Sequence, residues 1–100
     1  MDLNQYREEI NGIDQELMLL LKKSMGVCLQ IGQYKMENGL PVVQPERFHE
    51  LQETWAQKAK ELGLGLEFGR EMFRVIHDES VRLQESLADV ECPAIKKFNS

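Results

Sequence analysis

The stretch Leu3–Tyr34, LNQYREEINGIDQELMLLLKKSMGVCLQIGQY, decides the fold. Within it Leu3, Tyr6, Ile10, Ile13, Leu17, Leu20, Ser24, Val27, Ile31 and Tyr34 recur at alternating spacings of three and four. That period belongs to one face of a single long helix, and polarity interrupts the face only at Ser24. At about 1.5 Å of rise per residue the stripe is roughly 45 to 50 Å long. A compact domain of 100 residues has a radius of gyration of only about 13 Å. One chain cannot cover such a stripe, so a second copy is expected to lie along it.

Hydrophobic residues make up 42% of the chain and aromatics 7%, which leaves aliphatic packing as the main source of a core that is only just adequate at this size. The net charge of −5 and the pI near 5.0 argue against a nucleic-acid or anionic-membrane surface, because both need concentrated positive charge. No basic run exceeds two residues. An anionic ligand would have to be met by a few placed cations in a pocket. Neither a signal-peptide pattern nor an apolar run of about eighteen residues is present, so no membrane partner is expected and a cytoplasmic location is. Cys28 and Cys92 lack the spacing of a disulfide framework or a zinc set and read as plain thiols.

Asp2 is placed to cap the long helix, with Gln5 able to reach back to it. The helix should end near Met36 to Asn38, where Asn38-Gly39 favours left-handed termination and Pro41 forbids continuation. Residues 38–44 then form a short loop. Pro45 suits the first turn of a second helix with an apolar side of Phe48, Leu51, Trp55 and Leu62, and Gly63-Leu64-Gly65 closes it. A third helix is expected from Leu66 or Glu67 to about Leu87, along Phe73, Ile76, Ser80, Leu83 and Leu87. The pattern then fades and Pro93 blocks a helix, so a helical domain at 1–88 is followed by a tail at 89–100 that reads as disordered. Strand-like alternation and internal repeats are missing, and the fold class is all-α. Gly12, Gly26 and Gly32 each cost about 1 kcal/mol relative to Ala inside a helix. They read either as tolerated surface or as points of close approach for a partner helix or ligand.

Beside the apolar seam runs a second stripe at seven-residue spacing: Arg7, Asp14, Leu21, Cys28 and Lys35. Arg7 and Lys35 share a face but stand about 42 Å apart by helical rise. They can serve one site only if Arg7 comes from another subunit, as an antiparallel two-fold dimer would arrange; otherwise both are solvated flank charges. Ser80 and Gln84, at i and i+4, put two hydrogen-bonding groups on the apolar side of the third helix, where an unpaired group costs about 1 to 3 kcal/mol. Ser80 has the alternative of bonding its own helix's carbonyls. Arg47 stands at the positive end of a helix dipole, which suits a nearby anion or a balancing Glu46 or Glu50. His49 and His77 have no second ligand at metal spacing and read as surface residues, while Trp55 and the methionines read as core filler.

The run Arg7-x6-Asp14-x2-Leu17, Ile31-Gly32-x2-Lys35, Gly39-Leu40-Pro41-Val42, Pro45-Glu46-Arg47, Ile76-His77-x2-Ser80-x3-Gln84 resembles the all-helical (type II) chorismate mutases. The likeness extends from about Leu3 to Leu87 and lies in order and spacing rather than in any single piece. It implies an intertwined antiparallel homodimer of three-helix subunits that rearranges chorismate to prephenate without metal, cofactor or nucleophile. By matching position, Lys35 and Gln84 would face the ether oxygen of the breaking C–O bond. Arg47 and the partner subunit's Arg7 would bind carboxylates, and Ser80 would bond a carboxylate or support its neighbours. Because Gln84 is a neutral amide, no acid-dependent rate is expected from that position.

Three positions depart from the family's pattern. Ser24 stands where the family usually has a substrate-binding Arg, and a lost charge-assisted contact removes about 1.5 to 3 kcal/mol of binding. Phe48 stands where the mutases commonly have a Glu that meets the 4-hydroxyl, and Gln44 where many have an Asp. The Gln-Pro-x-Arg-apolar pattern is more similar to the branch acting on 4-amino-4-deoxychorismate, and an apolar residue after the Arg also occurs in isochorismate pyruvate lyases. Chorismate is the expected substrate, those two are its alternatives, and a non-catalytic helical ligand-binding or interaction module is the alternative of another class.

Overall fold

The computed structural model describes the backbone of residues 2–99 and the side chains of residues 2–87. Three helices follow in order, α1 (Leu3–Glu37), α2 (Pro45–Glu61) and α3 (Leu66–Asn99). Among the described residues there is no strand. α3 runs on past Leu87 and through Pro93 to Asn99, which corrects the expectation that the helix ends near Leu87 and that Pro93 blocks it, since a proline removes one helical hydrogen bond without always ending the helix; the side chains of residues 88–99 lie outside the described residues.

α1 begins as its sequence dictates. Gln5 N donates to the Asp2 carboxylate at 2.9 Å, and the Gln5 side chain returns the bond by accepting from Asp2 N at 2.7 Å. It ends at Asn38, and Gly39 takes the left-handed turn with φ at 65° while Leu40 N bonds back to Lys35 O at 2.8 Å. Pro45 occupies the first turn of α2.

α2 and α3 form a tight helical hairpin whose buried apolar centre is Ala56, Ala59 and Phe73. Its closeness depends on Gly69, where an added Cβ would sit 2.6 Å from the Trp55 carbonyl oxygen and 2.7 Å from Ala59 Cβ. The hairpin is also clipped at its rim, where Arg70 bonds both oxygens of Glu53 at 2.9 and 3.1 Å and reaches Glu67. The Arg70 hydrogen bond holds the Glu53 carboxyl below its ordinary pKa, so this exposed clip is present at neutral pH and fades only as acid protonates Glu53.

α1 packs on α3 and, among the described residues, makes no contact with α2. Its long stripe is accordingly bare: Leu3, Tyr6, Ile10, Ile13, Leu17, Leu20, Val27, Ile31 and Tyr34 are all exposed. The molecule measures 65 × 31 × 15 Å, with a radius of gyration of 18.1 Å. It presents 8027 Å² of surface, whereas a compact chain of 11.6 kDa presents about 5,800 Å². Gly69→Ala is expected to destabilise the hairpin by about 1 to 3 kcal/mol, because backbone rather than a movable side chain opposes the new methyl group; chemical denaturation followed by circular dichroism measures it.

Candidate active site

Where α1 crosses the hairpin, the two halves leave a cavity of about 360 Å³. From α1 it is lined by Ser24, Cys28, Ile31 and Lys35, at spacings of four, three and four. The 38–44 loop adds Val42 and Gln44, and the first turns of α2 add Arg47, Phe48, Leu51 and Trp55. α3 closes it with Phe73, Ile76, His77, Ser80, Val81 and Gln84. Seven of the residues singled out from sequence, Ser24, Lys35, Gln44, Arg47, Phe48, Ser80 and Gln84, thus come together. Arg7 does not. It is exposed on α1, about 25 Å of helical rise from Ser24.

Ser80 and Gln84 are the buried polar residues of the site, 7% and 8% exposed. The Gln84 amide Nε2 donates to Ser80 Oγ at 2.9 Å, so the two satisfy one another across one turn of α3. Nε2 has a second N–H to offer, and Gln84 Oε1 is buried without a partner. Gly32 sets how closely α1 lies over this pair: an added Cβ would stand 2.6 Å from Gln84 Cγ and 3.2 Å from Leu87 Cδ1. Of the two readings open for Gly32, close approach holds. Gly12 and Gly26 face open space in the single chain.

Lys35 is part-buried and donates from Nζ to Val42 O at 2.8 Å, tying the loop to α1. Arg47 is more exposed and pairs with Glu50 at 3.1 Å, which identifies the balancing acid at the start of α2. Among the lining residues there are two cations, Lys35 and Arg47, and no Asp or Glu. The rest of the lining mixes aliphatic and aromatic side chains with the uncharged polar groups of Ser24, Gln44, Ser80 and Gln84. Such a hollow favours a small, mostly apolar anion held by a few directed groups, by the ordinary design of small-molecule sites. Among the described residues no cluster of His, Cys, Asp and Glu is placed to hold a metal, and no helix is long and apolar enough to cross a membrane.

The site is unwalled on one side. Ser24, Trp55 and Ile76 also line an apolar groove of about 660 Å³ that runs between α1 and the hairpin past Leu17, Leu20, Leu62, Phe68 and Met72. This groove exists because α1 and α2 stay apart.

The sequence profile described as chorismate mutase type II matches residues 6–85. The chain belongs to the type II chorismate mutase family. It is 33% identical over 91 residues to the bifunctional chorismate mutase/prephenate dehydratase of Buchnera aphidicola subsp. Schizaphis graminum (strain Sg), covering 91% of this chain and 24% of that protein. It is 28% identical over 83 residues to the 4-amino-4-deoxychorismate mutase of Streptomyces pristinaespiralis, 83% of this chain and 64% of that one. It is also 30% identical over 78 residues to the T-protein of Haemophilus influenzae (strain ATCC 51907 / DSM 11121 / KW20 / Rd), 78% of this chain and 21% of the relative. The chain therefore spans less than two thirds of the length of these relatives.

Against this mutase fold two sequence expectations need correction. His77 is not a surface residue: its ring is 22% exposed and packs on Phe48 and Phe73. Trp55 is not core filler but a 41% exposed wall shared by the site and the groove. A shifted stripe on α3 would have revealed His77, because Phe73, His77, Ser80 and Gln84 also follow a four-three-four spacing. Gly32→Ala is expected to cost about 1 to 3 kcal/mol by pushing Gln84 off Ser80. In a double-mutant cycle with Gln84→Ala, which removes the closest opposing atom, the two changes should be non-additive by at least about 1 kcal/mol; additive denaturation energies would deny the contact.

Proposed function

We propose that the chain is a homodimeric chorismate mutase that rearranges chorismate to prephenate. The observation that carries the reading is one acid-free cavity holding the Lys35 ammonium, the Arg47 guanidinium and the buried Ser80–Gln84 pair. The [3,3]-sigmatropic step moves electrons around six atoms, breaking a C–O bond as a C–C bond forms, and needs no acid, base or nucleophile. A protein accelerates it by holding the dicarboxylate folded, with the reacting carbons in contact, and by stabilising negative charge on the ether oxygen.

Lys35 Nζ and the free N–H of Gln84 Nε2 serve that oxygen. Both are fixed beforehand, the first by Val42 and the second by Ser80. Arg47 meets one substrate carboxylate and gives up its Glu50 pair in exchange for it. Arg7 of the partner subunit meets the other. Ser80 adds a hydroxyl beside Gln84 and keeps its amide turned.

Dimerisation is supported by the bare stripe of α1, by the groove beside the site, and by roughly 2,200 Å² of surface beyond that of a compact chain. Obligate homodimers bury about 2,000 to 5,000 Å² in total. A second α1 laid antiparallel covers the stripe and groove and carries its own Arg7 to the open side of the site.

Chorismate is favoured over its 4-amino relative because the lining offers no carboxylate to a cationic ring substituent. The other substrate has its own support in Phe48, Gln44 and the likeness to a 4-amino-4-deoxychorismate mutase. Incubation with chorismate, isochorismate and 4-amino-4-deoxychorismate, with products identified by mass, should give prephenate as the main product. Lys35→Ala should lower turnover at least about a hundredfold, on the scale of losing one charge-stabilising donor. Pyruvate released from isochorismate would make the chain a lyase, and no product from any of the three compounds would leave the fold with a binding role only.

Mixing the separately inactive Arg7→Ala and Lys35→Ala chains should restore activity, since a heterodimer contains one site with both groups intact. No recovery, or a monomer with full turnover in sedimentation analysis, would contradict the shared site. Ser24→Arg should raise kcat/KM for chorismate by tenfold to a hundredfold if the mid-helix clamp limits the rate, on the scale of about 1.5 to 3 kcal/mol for one charged contact.

A further inference from the structure

Lys35, the cation assigned to the ether oxygen, is gripped at both ends by the loop that follows it. Its main-chain carbonyl accepts from Leu40 N at 2.8 Å and from Asn38 N at 3.3 Å, and its ammonium donates to Val42 O at 2.8 Å. Val42 lies seven residues ahead of Lys35. Had α1 continued, that carbonyl would stand about 10.5 Å farther along the axis, beyond the reach of a lysine side chain. The contact exists because the chain turns back at once, and the residue at which it turns is Gly39, with φ at 65°. Among the described residues only glycines take a positive φ.

Two features make this turn act on Lys35 rather than on stability alone. The space around Gly39 is open: a Cβ added there meets nothing within 4 Å, so a larger residue is opposed by backbone conformation only. The loop also has little packing with which to hold a strained turn. Residues 38–41, Val43 and Gln44 are exposed, and Val42 alone is half-buried. A side chain at position 39 is therefore accommodated by the loop giving way rather than by strain being stored, and what the loop carries off is the Val42 carbonyl. α2 has a second anchor on α3, through Gly69 and the Arg70–Glu53 clip, so the loss falls on Lys35 more than on Arg47.

We propose that Gly39 is a positioning residue: its left-handed turn brings the Val42 carbonyl to the Lys35 ammonium and holds that cation in place before a ligand arrives. The inference rests on the mutase reading and adds to it what orients Lys35.

The test is steady-state kinetics on chorismate with Gly39→Ala and Gly39→Asn, each made in the wild-type and in the Lys35→Ala chain, beside chemical denaturation of every variant. Gly39→Ala should lower kcat by about five- to thirtyfold, the factor by which an L side chain disfavours the left-handed turn. KM should change by about twofold or less, because Lys35 acts on charge that grows only in the transition state. Gly39→Asn should recover most of the loss, since asparagine visits the left-handed region. In the Lys35→Ala chain Gly39→Ala should change kcat by a factor of about one, with no ammonium left to position. A lower denaturation midpoint with kcat unchanged would make the turn structural only, an equal fold loss in the Lys35→Ala chain would place its effect elsewhere, and no recovery by Asn would deny the left-handed requirement. Each of these overturns the assignment and leaves the mutase reading intact. A wild-type chain that rearranges no chorismate overturns the mutase reading, and the Gly39 assignment with it.

Discussion

The rest of the molecule depends on α1 being longer and more apolar than its own chain can cover. Only the stretch near Gly32 finds cover, where α1 crosses α3. Everything toward the N-terminus, from Leu3 to Leu20, carries core-type side chains into solvent. The homodimer proposed above would take this apolar stripe out of water. The separation of α1 from α2 that opens the cavity is a product of the same geometry.

Inside that opening the decisive detail is a polar pair on an otherwise apolar helix face. Ser80 and Gln84 are both buried, and each is tolerable only because the other is there. Gly32 lets α1 come close enough to seal them from bulk water, and a methyl group at that position would collide with the Gln84 stem. A residue with no side chain therefore fixes a side chain that lines the cavity. Hydrogen bonds at such a place act in a low-dielectric setting, where one N–H aimed at a growing charge has more effect than it would in water.

Much of this was legible in the sequence because helical period is legible. Leu3 to Tyr34 announced α1, the Asp2–Gln5 capping box and Asn38-Gly39 marked its ends, and Pro45 marked the start of α2. Ser80 and Gln84 stood out as polar residues one turn apart beside an apolar stripe, and Arg47 as a cation at the wrong end of a dipole. What period could not deliver was the full width of the α3 wall: the seam drawn through Phe73, Ile76 and Ser80 does face the cavity, but the wall extends one residue over, through His77 and Val81. Gly69 was overlooked for a related reason, since close helix approach is a property of two surfaces and only one is visible in a linear reading. The loop contact between Lys35 and Val42 O depends on backbone geometry that no side-chain pattern encodes.

That loop contact also explains how a site with so few charges can be well ordered. An ammonium has three N–H donors; Lys35 uses one on Val42 O, which holds the loop bearing Gln44 against α1 and leaves two donors for an occupant. The same bond fixes the entry to α2, and with it Arg47 three residues after the Gln44 N-cap. A single cation on α1 thereby aligns the loop, the second cation and the Ser80–Gln84 pair on one hollow. For the rearrangement proposed above, whose barrier is largely one of shape and of charge building on a single oxygen, that alignment would matter more than any reactive group. In that reading the cost of arranging the donors is met during folding rather than at the moment of bond breaking.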